Sequence, residues 1–487
     1  MKLVAIDDVW MRIECEEHIA RELSDYFTFD VPGAQYMQQF RKRNWNGKIR
    51  LFKLRGNLLY RGLADRVHAF AAQRGYKVAD ELGTPVPVLD GELDDFITAL
   101  ELPVAPRDYQ VAAVRKLLDD HRGIILSPTG SGKSLIVHIL IQALQVPTLI
   151  VVPTISLVAQ MESDLVSYGC DPETIQTIQA GRSKSQRASI IISTWQSIYE
   201  QPASYFDHFS CIIVDEVHLA KAKSLVGIME KCRNTPYRFG CTGTLDDTQV
   251  HRLILEGLFG TVTRVTTTHA LVQNEQLTPL LVKLCAIKYP LDVCKELRRV
   301  PYRDEIDYLL ASEARLTIVA NMAARAKGNT LVLFNYVEKH GMPLFERIQD
   351  IAVGRTVHFV YGGVEGDDRE RIRKLVEQGE RHIIVASYGT FSTGVNIPNL
   401  QTLIFASPSK SKFRVLQSIG RTLRLHKSKD HATLIDFIDD LRVGSVVNYA
   451  YRHAEQRVEY YASERHAYEL LEYDLETWVQ LLTKKGS

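Results

Sequence analysis

The sequence predicts an α/β protein made of two tandem parallel-sheet lobes, preceded by a small α+β domain and followed by a short helical tail. Short runs rich in Ile and Val alternate with longer stretches of helical period, which is typical of βαβ units whose strands are buried on both faces. This series stops and starts again after about residue 300, which indicates a second lobe. The first 80 residues or so differ, because they combine an amphipathic stretch with a candidate hairpin.

These patterns divide the chain into four segments. A length of 487 residues is ample for several domains with cores of their own. The segments are a basic α+β domain over residues 1–90, a first sheet lobe over 91–275, a second sheet lobe over 276–442 and a helical tail over 443–487. Prolines and threonines between residues 266 and 301 interrupt the periodicity, so we expect the lobes to be joined there.

Each element is placed by its local pattern. In the first domain we expect helices near residues 16–27 and 63–74, and a hairpin whose first strand, 48–54, turns back into 58–60. Apolar runs predict the strands of the first lobe at 123–126, 148–152, 189–193 and 211–214, and those of the second lobe at 330–334, 357–360, 382–386, 402–405 and 432–435.

Charge is distributed unevenly along a chain whose net charge is only +1. Between residues 41 and 74 ten Lys and Arg residues face a single acid, Asp65, and residues 381–429 contain no Asp or Glu. Such local asymmetry lets a nearly neutral protein bind a polyanion. The basic stretch therefore predicts contacts between nucleic-acid phosphates and Arg41, Arg43, Lys48 and Arg50, although a merely solvated face is the competing interpretation.

Several classes of protein are disfavoured. The seven cysteines are scattered without a Cys-x-x-Cys pair, so we expect reduced thiols and no structural zinc. The acidic start of the chain does not resemble a secretory signal. No stretch approaches the ~20 apolar residues of a membrane span. We therefore expect a cytoplasmic protein with no membrane partner, in the host cytoplasm if a phage encodes it.

A candidate phosphate-binding loop follows the predicted strand 123–126 and precedes an apolar helix. Glycines 130 and 132 free backbone N–H groups that can surround the phosphates of ATP, where Lys133 reaches the terminal phosphates and Ser134 ligates Mg²⁺. The alternative is a chance loop, since Ser127 replaces the first glycine of the strict pattern. The predicted nucleotide-binding residues of this loop are Thr129, Gly130, Ser131, Gly132, Lys133 and Ser134.

Two further sets of charged residues suit ATP hydrolysis. Asp215 and Glu216 end a buried strand, where Asp215 can hold Mg²⁺ and Glu216 can orient and deprotonate the attacking water. Arg421 and Arg424 are candidate arginine fingers, because a spacing of three places both on one helix face and a guanidinium neutralises phosphoryl oxygens. A solvated acidic turn and a basic helix surface are the competing interpretations.

Eight short motifs occur in an order and spacing that resemble the superfamily 2 helicases, specifically the DExH group. The resemblance covers about residues 105–440. The motifs are Arg107-Asp-Tyr109-Gln110, 127–134, Val152-Pro-Thr154, Ser193-Thr194-Trp195, Asp215-Glu-Val-His218, Cys241-Thr-Gly-Thr244, Thr393-Gly-Val-Asn-Ile397 and 417–424. This resemblance implies two RecA-like lobes with ATP between them, which makes the chain an ATP hydrolase.

The same resemblance implies roles for residues that the chemistry alone does not assign. The residues that would bind the nucleotide are Arg107, Gln110, Gly394 and Asn396, with Gln110 reading the adenine edge and Asn396 near the ribose. Asn396 stands where many members carry Asp. Gln417 would position water, while His218, Thr242 and Thr244 would couple hydrolysis to lobe movement. Strand contacts would come from Pro153, Thr154, Thr194, Trp195, Asn335 and Thr390, although each Thr could simply cap a helix.

Three further segments, 11–17, 44–51 and 386–394, resemble phage recombination and repair helicases. This second resemblance extends over nearly the full chain. This resemblance implies an ATP-dependent motor on branched DNA that regresses forks, migrates Holliday junctions and unwinds R-loops, with strand annealing as a companion activity. It implies branched, duplex and single-stranded DNA as partners, together with RNA in R-loops and recombination or single-strand-binding proteins. The alternatives are an RNA helicase, a duplex translocase that never separates strands, and an annealing protein with a regulatory ATPase.

Overall fold

The computed structural model describes residues 1–83, 86, 88, 92–178, 188–219, 223–245, 249–391, 397–408, 411–427 and 429–483, with the backbone alone at 249–250, 391 and 412–414. The chain divides into two compact units, Met1–Thr266 and Thr267–Ser487. Each unit contains one seven-stranded parallel sheet, and the first unit also contains a small four-stranded sheet. The predicted fold class is therefore confirmed.

Residues 1–83 form the N-terminal module. Its main sheet has the order β5-β2-β1-β6, and a separate pair joins β3 to β4. The elements are β1 (Lys2–Ala5), β2 (Trp10–Glu14), α1 (Glu17–Tyr26), β3 (Thr28–Asp30), α2 (Gln38–Arg41), β4 (Lys48–Arg50), β5 (Leu58–Tyr60), α3 (Ala64–Arg74) and β6 (Ala79–Glu81). Both predicted helices of this region are confirmed as α1 and α3.

The predicted hairpin between 48–54 and 58–60 is wrong as a continuous strand pair. Strand β4 pairs with β3, whereas β5 pairs with β2, and only a Lys53–Leu58 bridge joins the two segments. The physical reason is that Leu51 and Phe52 are both buried, so two consecutive side chains enter the core and the alternation of a two-faced strand is lost.

The first lobe is the remainder of the first unit. Its sheet has the order β13-β7-β12-β11-β8-β10-β9, with every pair parallel. The strands are β7 (Arg122–Leu126), β8 (Thr148–Val152), β9 (Ile175–Ile178), β10 (Ile190–Thr194), β11 (Cys211–Asp215), β12 (Tyr237–Thr242) and β13 (Val262–Arg264). The helices are α4 (Leu93–Ala99), α5 (Asp108–Asp120), α6 (Lys133–Leu144), α7 (Ile155–Ser167), α8 (Trp195–Ile198), α9 (Ala203–Phe206), α10 (Lys223–Lys231) and α11 (Gln249–Phe259).

The second unit is built in the same way. Its sheet has the order β16-β17-β15-β18-β19-β14-β20 and is also parallel throughout. The strands are β14 (Leu280–Lys288), β15 (Asn329–Phe334), β16 (Thr356–Val360), β17 (His382–Ser387), β18 (Leu400–Phe405), β19 (Ala432–Asp440) and β20 (Ala467–Asp474). The helices are α12 (Thr268–Gln273), α13 (Leu291–Glu296), α14 (Tyr302–Ala311), α15 (Glu313–Arg325), α16 (Met342–Ile351), α17 (Gly366–Gln378), α18 (Tyr388–Phe391), α19 (Lys412–Thr422), α20 (Tyr449–Ser463) and α21 (Leu475–Thr483).

All nine predicted strands of the two lobes are present, and the described residues contain five further strands that were not predicted from sequence. The missed strands are β9, β12, β13, β14 and β20. The predicted helical tail contains α20 and α21, with the unpredicted β20 between them. Strand β20 lies at the sheet edge and is exposed along almost its whole length, so it lacks the buried apolar face that indicates a strand in a sequence.

An apolar core runs without a break from the N-terminal module into one face of the first sheet. It joins Leu59 and Phe70 of the module to Val217 and Phe259 of the lobe. A second core covers the other face of that sheet, and a third lies in the second unit. No helix in the described parts of the chain is long and apolar enough to cross a membrane.

Candidate functional site

The loop between β7 and α6 has the backbone geometry of a phosphate-binding loop. Gly130 and Gly132 both adopt the left-handed conformation, with φ of +86° and +76°. A Cβ on Gly132 would collide with the side-chain nitrogen of Gln110, so a larger residue would displace the Gln110 amide. Ser127 lies with its Oγ 2.6 Å from Ser131 Oγ, and Ser131 Oγ is 2.7 Å from the carbonyl oxygen of Pro128. The loop is thus braced by its own hydroxyls.

A second brace comes from the start of α5. Tyr109 donates its hydroxyl to the Ser131 carbonyl at 2.8 Å, and Arg107 donates to the Tyr109 hydroxyl at the same distance. Gln110 donates from Nε2 to the carbonyls of Ser131 and Gly132, and its Oε1 accepts the Arg107 backbone N–H. The Gln110 amide is therefore engaged with the loop. Its contact with adenine stays a prediction and would require these bonds to be exchanged.

The polar side chains of the loop point to its own backbone and to one neighbouring tyrosine. Lys133 Nζ donates to the carbonyl oxygens of Ser127 and Pro128 at 3.3 and 3.4 Å. Ser134, at the first turn of α6, has its Oγ 3.2 Å from the hydroxyl of Tyr168, and the Thr129 side chain is half-buried. The contact of Tyr168 could not be predicted from sequence, because no motif links this residue to the loop.

The two acidic residues stand at the end of β11, next to β12. Burial, and next the neighbouring Glu216 carboxylate, raise the pKa of Asp215 to about 7, although the Lys133 ammonium opposes this shift. Glu216 adopts φ of +53°, a left-handed conformation that is uncommon outside glycine and concentrates at functional sites. Its backbone N–H donates to Asp215 Oδ1 at 2.9 Å.

The three residues predicted to couple hydrolysis to movement lie together beside Glu216. His218 Nδ1 is 2.8 Å from Thr242 Oγ1 and 3.2 Å from Glu216 Oε2. Thr242 Oγ1 also donates to the Thr244 carbonyl at 2.8 Å. The structure therefore brings His218, Thr242 and Thr244 into one connected group with the second carboxylate. Adjacent strands β11 and β12 position this group, because Asp215 pairs with Cys241 in register.

The second unit holds the other predicted catalytic residues. Gln417 is buried within α19, and Arg421 lies in its last turn. Helix α19 ends at Thr422, so the expectation that Arg421 and Arg424 share one helix face is wrong, since Arg424 lies two residues beyond the helix. The Arg424 carbonyl is instead fixed by the buried Thr278 hydroxyl at 3.2 Å. Gly394 and Asn396 fall outside the described residues.

The segment after α19 is anchored from two sides. The Thr278 backbone N–H donates to the Leu423 carbonyl at 2.7 Å. Lys429 Nζ donates to the Thr422 carbonyl at 2.6 Å and to that of Leu400 at 3.0 Å. A cation at a helix C-terminus satisfies its last carbonyls and opposes the negative end of the helix dipole. Burial lowers the pKa of Lys429 to about 8.

The predicted strand-contacting residues of the lobes make local contacts. Pro153 and Trp195 are buried. Thr154 caps α7 by accepting the Leu157 N–H, and Thr194 Oγ1 lies 2.9 Å from a serine hydroxyl one turn later. In the second unit, Asn335 Nδ2 donates to the Pro408 carbonyl, and Thr390 Oγ1 lies 2.8 Å from Ser387 Oγ. Helix capping thus accounts for the Thr154 side chain, and nucleic-acid contacts at all six stay a prediction.

The basic residues of the N-terminal module are available to solvent. Arg41, Arg43, Lys48 and Arg50 are all exposed, and Lys48 Nζ lies 3.8 Å from a carboxylate oxygen of Asp30. The nearby aromatic residues differ in exposure. Phe52 and Tyr60 are buried in the core, whereas Tyr36 and Phe40 are 73% and 37% exposed. The exposure of Tyr36 and Phe40 was not predicted from sequence, because a lone exposed aromatic residue gives no periodic signal.

The seven cysteines are all free. Within the described ranges, no group of three or more His, Cys, Asp or Glu side chains is arranged to hold a metal ion. Ser134 and Asp215, the two predicted Mg²⁺ ligands, offer a hydroxyl and a carboxylate, and oxygen donors of this kind are the ones that Mg²⁺ prefers.

Three family models match consecutive parts of the chain. Residues 1–80 match the N-terminal region of the DNA helicase UvsW, residues 103–247 match the res subunit of type III restriction enzymes, and residues 313–426 match the conserved C-terminal helicase domain. The order of these matches follows the module, the first lobe and the second unit.

Whole-chain relatives agree with these models. The ATP-dependent DNA helicase UvsW of Enterobacteria phage T4 is 33% identical, and the match covers 94% of this chain and 96% of UvsW. The crystal structure of T4 UvsW aligns with a TM-score of 0.51 at 32% identity, covering 97% of this chain and 99% of the solved one. The DNA 3'-5' translocase XPB2 of Sulfurisphaera tokodaii is 28% identical over 68% of this chain and 81% of its own length.

The phosphate-binding loop, the matches to the two helicase families and the presence of a seven-stranded parallel sheet in each unit define an ATP-hydrolysing helicase of superfamily 2. Because the identity to T4 UvsW extends over nearly the full length of both chains, the chain belongs to the UvsW family of ATP-dependent DNA helicases. The resemblance drawn from the motifs is thereby confirmed.

Proposed function

We propose that this helicase works on branched DNA, where it regresses forks, migrates Holliday junctions and unwinds R-loops during recombination and repair, with strand annealing as a companion activity. The observation that carries the proposal is that an exposed basic module and the ATP-binding lobe belong to one compact unit. A branched substrate offers a duplex arm and a neighbouring strand at once. Two linked nucleic-acid-binding sites bind such a substrate more tightly than either site alone, because binding at one site raises the effective concentration of DNA at the other.

At the nucleotide, we assign the loop residues to the phosphates of ATP. Backbone N–H groups from Thr129 to Gly132 would surround the β-phosphate, and Lys133 would exchange its carbonyl contacts for the terminal phosphate oxygens. Ser134 and Asp215 would hold Mg²⁺, and both belong to the lobe that carries the loop. The bound ion would neutralise charge on the phosphate oxygens.

We assign the chemical step to four further residues. Glu216 would accept the proton of the attacking water, and Gln417 would help to orient that water. Arg421 and Arg424 would neutralise the charge on the phosphoryl group in the transition state. His218, which lies 3.2 Å from Glu216 Oε2, would relay the state of that carboxylate to Thr242 and Thr244.

For the nucleic acid, we propose that Arg41, Arg43, Lys48 and Arg50 bind duplex phosphates without reading sequence. The loops that carry Pro153, Thr154, Thr194 and Trp195, together with Asn335 and Thr390, would hold the translocated strand through backbone groups. We further propose RNA in R-loops and recombination or single-strand-binding proteins as partners, and the cytoplasm as the site of action. The seven free cysteines suit such a reducing compartment.

A substrate panel tests the proposal. ATP turnover should be stimulated most by forked DNA, less by single strands and plain duplex, and least by RNA. The panel is run at two salt concentrations, because phosphate contacts make affinity depend steeply on salt. Strongest stimulation by RNA would favour an RNA helicase, and turnover on plain duplex without strand separation would favour a translocase.

The Lys133→Ala protein separates the motor from annealing. We expect it to anneal complementary strands without ATP through its basic surface, but neither to hydrolyse ATP nor to unwind. Unwinding by this variant would contradict the motor assignment. Loss of ATP-independent annealing would instead show that annealing uses the nucleotide site.

We also propose 3'-5' travel along the strand. Three relatives, from Sulfurisphaera tokodaii, Kineococcus radiotolerans and Haloarcula marismortui, carry this direction in their names. Unwinding of partial duplexes with a single 3' or 5' tail checks it. A clear preference for the 5'-tailed substrate would contradict this direction.

A further inference from the structure

The N-terminal module packs against α11 so closely that two positions at the contact have no room for a side chain. A Cβ on Gly62 would lie 2.2 Å from the Glu256 carbonyl oxygen, and a Cβ on Gly257 would lie 2.7 Å from the ring of Tyr60. Two glycines therefore face each other's segments across the contact. Because packed cores are not continuously deformable, a displacement of this part of the module must be passed to α11.

Charged and polar side chains fasten the same contact. Arg66, on α3 of the module, donates from Nε and Nη2 to the two carboxylate oxygens of Glu256 at 3.0 and 3.1 Å. Arg252 donates to Glu256 Oε1 at 2.8 Å, and the Glu256 side chain is only 7% exposed. Bidentate contacts to a buried carboxylate fix the relative orientation of two elements as well as their distance.

The opposite end of α11 contacts the DExH motif. His251 is buried, and its Nε2 lies 3.1 Å from the backbone carbonyl oxygen of His218. The side chain of His218 in turn lies 3.2 Å from Glu216 Oε2. One three-turn helix thus touches the module at Glu256 and Gly257, and touches the segment that carries the second carboxylate at residue 251.

We propose that His251 is a positioning residue for the DExH segment, and that α11 transmits engagement of DNA by the N-terminal module to Glu216. The module would act on hydrolysis through the Arg66–Glu256 contact and the His251–His218 contact in series. This inference rests on the proposed roles of the basic module and of Glu216. A physical link alone does not demonstrate coupling, so the test measures the coupling itself.

The full-length protein is used for the test, with steady-state ATP hydrolysis measured with and without saturating forked DNA. Arg66→Met removes the charged contact to α11. Its matched control is Arg74→Met on the same helix, because Arg74 pairs with Glu22 inside the module at 3.0 Å and is similarly exposed. His251→Leu removes the contact to the His218 carbonyl, and His251→Gln keeps an N–H donor.

We expect Arg66→Met to lower the DNA-stimulated kcat about 5-fold, in the usual range of coupling between two sites, with the KM for ATP and the Kd for DNA within about 2-fold of the parent. Arg74→Met should change kcat by less than about 2-fold. His251→Leu should lower kcat about 5- to 10-fold, and His251→Gln should restore most of it. The Arg66→Met/His251→Leu double variant should fall no further than His251→Leu alone, because both act through one element.

The proposal would be overturned if the double variant lost kcat by the product of the two single losses. Equal losses of kcat in Arg66→Met and Arg74→Met would overturn it as well. A melting curve reports separately whether each variant folds. If His251→Leu fails to fold, the comparison of Arg66→Met with Arg74→Met and the kcat of His251→Gln still test the proposal. Glu216→Gln distinguishes this failure from failure of the proposed function. Hydrolysis that survives Glu216→Gln contradicts the assignment of the base, whatever the Arg66 and His251 variants do.

Discussion

The two seven-stranded sheets share one architecture but use their charged residues in opposite ways. The first lobe places Lys133, Asp215 and Glu216 in a loop and at a strand end, where burial works against the ionised form of Asp215. The second unit contains charges that are fully buried as closed pairs, such as Arg315 with Asp439, whose side chains are 1% and 0% exposed. A parallel sheet can therefore present charged side chains to a ligand at its strand ends, or can use buried ion pairs to hold its helices against the strands.

Several buried charges of the second unit converge on strand β19 and the helices around it. Arg457, from α20, donates to both carboxylate oxygens of Asp436 at 2.8 and 2.9 Å. Glu305, from α14, accepts the backbone N–H groups of Tyr449 and Ala450 at the start of α20. A carboxylate at that end of a helix is favourable because of the helix dipole. The tail is therefore fastened to the second sheet by ionic contacts.

The largest effect should come from the one part of the second unit that we assign to chemistry. Arg421→Ala is expected to lower kcat by about 10³-fold or more, because an arginine finger stabilises charge that appears only in the transition state. ATP binding should be retained. Pre-steady-state turnover and binding of a fluorescent nucleotide measure the two quantities. Normal turnover in Arg421→Ala would remove this residue from the catalytic set.

The next largest effect separates structural from catalytic charge. Asp439→Ala leaves Arg315 buried without its carboxylate, so we expect the free energy of unfolding to fall by about 3–4 kcal/mol. Lys133→Ala, which removes a catalytic charge, should leave the stability within about 0.5 kcal/mol of the parent. Urea unfolding of both variants makes the comparison. Equal stability of the two would contradict the division between the lobes.

Asp215 provides a third test, of smaller size and opposite sign. Its folded pKa of about 7 exceeds the ordinary aspartate value of 3.8, so the unfolded carboxyl releases its proton first and stability falls as pH rises between these values. Asp215→Asn has no such proton, so without metal it should be more stable than the parent by on the order of 2 kcal/mol near pH 8. The difference should shrink towards pH 5, and ATP hydrolysis should be lost. A parent that is more stable at high pH would contradict this sign.

The smallest effect concerns the N-terminal module. Replacing Lys48 and Arg50 with Gln should reduce the slope of log Kd against log salt for duplex DNA by about 0.9 per lost phosphate contact. Arg21→Gln is the matched control, because Arg21 is exposed on the same module but pairs with Glu17 at 2.6 Å. Fluorescence anisotropy at several salt concentrations measures the slopes. If the slope changed equally in the Lys48/Arg50 variant and in Arg21→Gln, the module would bind DNA through other residues.

The sequence predicted those features that local pattern encodes. The phosphate loop with the strand before it, and Asp215 with Glu216 after theirs, are contiguous in sequence, so their grouping could be inferred. Only the resemblance to the helicase family linked Thr242 to His218, because the two lie in separate motifs. The contacts of Tyr168, His251 and Thr278 could not be inferred, because each depends on a partner distant in sequence and none repeats with a helical or strand period. The end of α19 was also missed, because no Gly or Pro marks it.

The strands show the same limit. Strands buried on both faces, such as β8 and β11, were predicted because every residue in them is apolar or nearly so. Strand β13 has only three residues, and β20 is exposed along almost its whole length, so neither has enough apolar contrast to be distinguished from a loop. Pairing with a neighbour fixes such edge strands, and that information is not local.

The glycine contact between Gly62 and α11 has a consequence for protein engineering. The module cannot be transplanted onto another motor as an independent cassette, because the recipient would need a bare backbone at the position of Gly257. A single added methyl at either glycine would push against a main-chain carbonyl or a buried ring, neither of which can rotate away. Chimaeras with foreign motors should therefore exchange the module together with α11 as one piece.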